Sequence, residues 1–207
     1  MTRFKHMTDN AKYQHAFTMV RLYQKHVLPF VEEQLGPAAV HELRSIWQAA
    51  MMPVRKEDTD REKYDAAYNN WTWMARSSHD FLADSLKKGE VLTYKRLLLR
   101  LYKRQQDYPD LAFYRLLDNH SALFKAWVYQ MQWITPIERI SKADGQFTCF
   151  VKGCKVLHIP AAARICRVDC QNVGTHLARS VYHLKRKTKI VNQDCTMTLT
   201  PLEDEQE

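Results

Sequence analysis

Through residues 1–135 the apolar positions recur at three-, four- and seven-residue intervals, the repeat of an amphipathic helix. Tyr13, Phe17, Val20, Val27, Val31 and Leu35 form one such stripe along a long first helix. Gly36-Pro37 ends that helix and opens the next, with proline at the first helical position, and Val40, Leu43 and Trp47 carry the pattern on. Pro53 to Asp58 reads as a charged connection. Thr59 followed by Glu62 is a capping-box signature, and Tyr64, Tyr68, Trp71, Ala75 and Leu82 predict another long helix, closed by Lys87-Lys88-Gly89. From Glu90 to Gln106, Lys95, Arg96, Arg100, Lys103 and Arg104 surround a Leu97/Leu98/Leu101 stripe, as a solvated face over a core should. Asp107-Tyr108-Pro109-Asp110 breaks the chain, and helical pattern resumes through Leu117, Leu123, Trp127 and Met131.

After Pro136 the period falls to two. Ile137–Lys142 and Gln146–Lys152, joined by Ala143-Asp144-Gly145, predict a hairpin with Phe147, Cys149 and Val151 on one face. A short helix is expected over Val156–Ile159, and a second from Pro160-Ala161-Ala162-Ala163 past Cys170. Val181–Ile190 and Cys195–Thr200 read as a second strand pair, in which Cys195, Met197 and Leu199 alternate with threonines. This order predicts an α+β fold: a helical N-terminal two-thirds packed on a C-terminal four-stranded antiparallel sheet with two inserted helices. The expected division is a helical region 1–135, a Cys-rich region 136–200 integrated with it, and a solvated acidic tail 201–207.

Composition narrows the function. The 207 residues include only five glycines, with no GxGxxG or GxxxxGK[ST] stretch, which argues against nucleotide-binding folds. No apolar run approaches the ~18 residues of a membrane span, and Met1-Thr2-Arg3-Phe4-Lys5-His6 leads into no signal-peptide core, so a soluble cytoplasmic protein without a membrane partner is expected. The net charge of +8 suits an anionic partner. No nucleic-acid motif is recognisable, which favours a small anionic substrate over nucleic acid. A homo-oligomer is compatible with the sequence.

All five cysteines, Cys149, Cys154, Cys166, Cys170 and Cys195, fall in the last third. A lone cysteine is usually a small buried hydrophobe, but five together, odd in number and without a secretion signal, point to reduced thiols in use. Cys166, Asp169 and Cys170 lie three and four apart, as on one helical face. Cys154 and His158 are also four apart. Between Lys152 and Lys189 there are nine Lys and Arg against one acid, Asp169. Such a positive field should lower a thiol's pKa and attract a carboxylate. Thiols, an isolated carboxylate, histidines and cations suit nucleophilic or acid–base hydrolysis of a small anion, with no cofactor. The alternative is zinc, for which Cys149-x4-Cys154-x3-His158 and Cys166-x3-Cys170-x5-His176 offer ligands, although no CxxC knuckle occurs.

From Trp133 onward the chain resembles the L-2-amino-thiazoline-4-carboxylic acid hydrolase family. The resemblance lies in a hairpin ending at Cys154 after Phe150-Val151-Lys152-Gly153, the Cys-x-x-Asp of Cys166-Arg167-Val168-Asp169, and Arg186-Lys187-Thr188 before a closing strand that starts at Cys195-Thr196-Met197. Cys149 and Cys170 are additional to that pattern. The layout is also similar to the 4-vinyl reductase type of small-molecule-binding domain, which implies a non-enzymatic binding or sensing role. The hydrolase resemblance implies that water opens a cyclic amidine ring of the 2-amino-thiazoline-4-carboxylate type to an N-carbamoyl amino acid. It casts Cys166 as nucleophile, Asp169 as orienting or proton-shuttling group, Cys154, Cys195 and His158 as further site residues, and Arg164, Arg167 or Arg186 as the carboxylate's partner.

Overall fold

The computed structural model describes residues 5–106, 110–158 and 163–202. The chain is α+β and divides into two compact units, Thr8–Gln105 and the remainder, residues 5–7 with the described residues from 106 onward.

The first unit is helical: α1 (Asp9–Leu35), α2 (Pro37–Gln48), α3 (Asp60–Ser85) and α4 (Lys88–Arg104). Gly36 joins α1 to α2 at φ 87°, a left-handed conformation that glycine adopts without a Cβ clash, and Pro37 pre-sets the first turn of α2. α1 packs chiefly on α3. Its buried stripe is Ala16, Met19, Val20, Tyr23, Val27, Phe30 and Val31, which leaves Phe17 36% exposed. The expected stripe is therefore offset by part of a turn. Val20, Val27 and Val31 are buried as expected, but the face is centred on Ala16, Met19, Tyr23 and Phe30. Steps of three and of four residues are both helical, and Ala16 takes the buried place instead of Phe17. α3 starts on the complete Thr59/Glu62 capping box and buries Tyr64, Tyr68, Trp71, Ala75 and Leu82. Lys87-Lys88-Gly89 does not close α3. Leu86 caps it, and Lys87 instead begins α4, its N–H donating to Glu90 Oε2 at 2.8 Å.

The second unit opens with α5 (Leu111–Leu116) and α6 (His120–Met131). The expected continuous helix is split because Asp118 turns left-handed at φ 46° and Asn119 accepts the Ala122 N–H as a new N-cap. The sheet has order β1-β2-β4-β3, all antiparallel, from β1 (Arg139–Ala143), β2 (Gln146–Val151), β3 (Leu184–Val191) and β4 (Asp194–Pro201). Asp144 and Gly145 make the β1–β2 turn with positive φ at both positions, as a two-residue hairpin requires. Between the strand pairs run α7 (Lys155–His158), α8 (Ala163–Ile165), a π-helix (Cys166–Val173) and α9 (Gly174–Tyr182). The proline-led start expected at 160–162 lies outside the described residues. β3 begins at Leu184, later than Val181, because α9 runs to Tyr182 before His183 turns left-handed. Phe147, Cys149 and Val151 are buried on one face, and Phe124 of α6 stacks on Phe147 at 4.1 Å. Lys185, Lys187 and Lys189 project from edge strand β3 to the other face, where their charge opposes pairing with a further strand. No helix among the described residues is long and apolar enough to cross a membrane.

The capping box gives a direct stability test. Thr59→Ala removes the acceptor of the Glu62 N–H and should cost about 1 kcal/mol in urea denaturation followed by tryptophan fluorescence.

Candidate functional site

Strand alternation builds one wall of the site. The register pairs Cys149 with Met197, Val151 with Cys195, Ile190 with Cys195 and Arg186 with Leu199, so Cys149, Cys195, Met197 and Arg186 share the inner face of the sheet. Lys185 and Lys187 point outward by the same alternation, and Arg186 between them is driven inside, 6% exposed. Its guanidinium lies over the Trp127 ring at 5.6 Å; Nη2 donates to Met197 Sδ at 3.2 Å and Nη1 to the Cys170 carbonyl, while Nε has no partner. Among the described residues no carboxylate is paired with Arg186.

The π-helix explains the carbonyl. The Gly174 N–H donates to the carbonyls of Asp169 and Gln171 and passes over that of Cys170. The oxygen skipped by the wider winding is the one Arg186 takes, so neither group is left buried and unsatisfied there. Gly174 makes the approach possible: a Cβ at this position would overlap Arg186 Nη1. The same winding brings Gln171 Nε2 to 3.5 Å from Cys166 Sγ, five residues back.

The thiols gather around this cation. Cys149, Cys166, Cys170 and Cys195 all lie within electrostatic reach of Arg186, and Cys154 is in reach of Cys166, Cys170 and Cys195. Cys154 is buried after β2, with the Thr135 hydroxyl 3.6 Å from its sulfur and its N–H donating to the Gln193 carbonyl at 2.8 Å. Cys166 and Asp169 are buried on the π-helix. The structure thus brings together Cys154, Cys166, Cys195 and Arg186 and adds Cys149 and Cys170. It does not bring in His158, Arg164 or His176, which are exposed; Arg167 is exposed too, though its charge reaches Cys166.

The positive field does not produce low thiol pKa values. Burial pushes Cys149 up to about 12 and Cys195 to about 11, and raises Cys166 and, well above its ordinary value, Cys170. Arg186 pulls each of them down, but desolvation of the thiolate is the larger effect. Burial also lowers the pKa of Arg186 itself. All five cysteines are free, and among the described residues no three His, Cys, Asp or Glu side chains are grouped as metal ligands. Gly174, Gln171, Trp127 and Met197 were not anticipated from sequence.

Two tests follow from this geometry. Gly174→Ala should cost about 1–3 kcal/mol by forcing Arg186 out of its seat, whereas Gly89→Ala, with open space around it, should change stability by less than about 0.5 kcal/mol in the same denaturant titration. The raised thiols contribute stability that is complete below the unfolded thiol value near 9.0 and is lost as pH climbs through about 11 and then about 12. Stability measured across that alkaline range should fall more steeply in the parent protein than in a Cys149→Ala/Cys195→Ala variant.

No family model, no curated protein and no solved structure matches this chain, so its chemistry rests on the side chains themselves.

Proposed function

We propose that the chain is a hydrolase that opens a small cyclic amidine bearing a carboxylate, of the 2-amino-thiazoline-4-carboxylate type, at the thiol–arginine cluster. The observation that carries this reading is Arg186: a buried guanidinium with an open Nε and no carboxylate paired to it among the described residues. An uncompensated buried cation is costly, and a substrate carboxylate supplies the missing charge with charge-assisted hydrogen bonds.

With the carboxylate on Arg186, the reacting ring carbon faces the thiols. Cys166 rests protonated because burial raises it, and the amidine nitrogen of the substrate is the base that takes its proton. The resulting thiolate attacks the amidinium carbon between nitrogen and sulfur. The ring carbon–sulfur bond breaks, the ring sulfur leaves and takes a proton, and an isothiourea on Cys166 results. Water then attacks the same carbon, Asp169 on the next turn takes its proton, and Cys166 departs and is reprotonated. One water is consumed, and the product is an N-carbamoyl amino acid with a free thiol. Five free cysteines suit the reducing cytoplasm, where we place the protein.

A second reading is a non-enzymatic small-molecule-binding domain that uses the same Arg186 anchor. The raised thiols favour it, since a nucleophile more often has a depressed pKa.

Thiol release from 2-amino-thiazoline-4-carboxylate, followed with a chromogenic thiol reagent, separates the two. Cys166→Ser and Asp169→Asn should each lower turnover by roughly 100-fold or more, and Arg186→Met should raise KM. Undiminished turnover in the first two variants would falsify the mechanism, and tight binding without turnover would establish the binding domain instead.

A further inference from the structure

The two faces of the sheet differ. The buried residues of the four strands all point inward, and none of the outward positions is buried. Register sets the outward side chains in rows. Lys189 stands opposite Thr196, Thr196 opposite Phe150, and Phe150 opposite Arg139. The next row runs Lys187, Thr198, Thr148 and Ser141, and Lys185 opposite Thr200 opens a third. Hydroxyls and one aromatic ring thus lie between a lysine-bearing edge and Arg139.

The edge charges on this face share one sign. Lys185, Lys187, Lys189 and Arg139 are exposed cations. The outward carboxylate of the strands, Asp194, already accepts the Gly153 N–H at 2.9 Å. Opposing a further strand accounts for charge at an edge, but either sign would serve that purpose. Spacing adds what net charge cannot. Lysines at alternate positions of one strand stand about 6.8 Å apart, roughly twice the ~3.4 Å between charges along one strand of duplex DNA. A row so spaced meets the phosphates of a nucleic-acid strand drawn out until its bases unstack. Unstacked bases seek planar groups, and Phe150, with the Arg139 guanidinium 4.3 Å from its ring centre, is the aromatic side chain among the outward strand positions. A groove of about 660 Å³ opens beside that pair, its lining including Lys152 and Thr196 as well as Glu138 and Asp194. It has room for a base.

We infer that the outward face of the sheet binds single-stranded nucleic acid, with phosphates along Lys185, Lys187 and Lys189 and a base at Phe150 and Arg139. Arg186 and the Cys149 and Cys195 thiols lie on the opposite face, so this inference stands apart from the hydrolase reading.

The test is fluorescence anisotropy of labelled oligo(U) and oligo(dT), each of about ten nucleotides, titrated with the full chain at several salt concentrations. At least one should bind with a micromolar dissociation constant at about 50 mM salt, and affinity should fall steeply as salt rises. The variant Lys185→Gln/Lys187→Gln/Lys189→Gln should bind at least about tenfold more weakly, with a log–log salt slope shallower by about 2. Phe150→Leu keeps apolar bulk on the face and should weaken binding about tenfold with the slope unchanged. Lys95→Gln/Arg96→Gln/Arg100→Gln removes the same charge from exposed positions of α4 and should change affinity by less than about twofold. Equal affinity for the two oligomers assigns the face to either nucleic acid, tighter binding of oligo(U) to RNA through its 2′-hydroxyls, and the reverse to DNA. The inference is overturned if neither oligomer binds, if the α4 variant loses as much as the β3 variant, or if a duplex of the same length binds as tightly. Sedimentation with phosphatidylserine vesicles completes the test: vesicle binding that needs the three lysines, without oligomer binding, makes the face a membrane contact instead. A failed hydrolase assay bears on the thiols alone, and failed oligomer binding on the outward face alone.

Discussion

The seat of the Arg186 guanidinium constrains the second unit more than any other contact. A charge in the interior must be met by dipoles or expelled to water, and here the dipoles come from different parts of the chain: the Cys170 carbonyl from the π-helix, Met197 from β4 and the Trp127 ring from α6. Each of these elements is therefore fixed relative to β3. The π-helix in particular has a reason to exist. An α-helical turn would have consumed the Cys170 carbonyl internally and would have left the arginine without an acceptor.

The thiols and the arginine are held in opposition. Burial raises the energy of the Cys149, Cys166, Cys170 and Cys195 thiolates and also of the guanidinium, yet each ion would ease the other. In the resting protein the desolvation of sulfur prevails at these four, and their thiols stay neutral. An anion brought in from outside changes that balance at the arginine, and a base brought in with it changes the balance at sulfur. A ligand that carries both groups is matched to both halves of the conflict.

How far this was legible depended on how local the cause was. The α+β class, the two hairpins and the Thr59/Glu62 cap follow from signals within a few residues, and the structure has them. Phe17 shows the limit within a single turn, since both Ala16 and Phe17 lie at helical spacing from Val20 and only packing decides which is buried. Arg186 sits among Lys185 and Lys187, so strand alternation buries one of three consecutive cations, and hydropathy cannot tell them apart. The π-winding is equally silent, because Cys166, Asp169 and Cys170 keep the same sequence spacing in either helix. The thiol pKa values ran against expectation because local charge can be counted along a sequence, whereas desolvation depends on the packed structure.

The winding at Cys166–Val173 also fixes the length of the chain there. Removing a single residue from that stretch would let the helix relax to ordinary α geometry, a change that looks harmless by propensity. The extra residue would be closed out with little net rotation of α9, but the Cys170 carbonyl would return to the helix's own hydrogen-bond ladder and Arg186 would lose the acceptor that seats it. A deletion that tidies the helix would thus unseat the arginine while the regular helices on either side kept their facing.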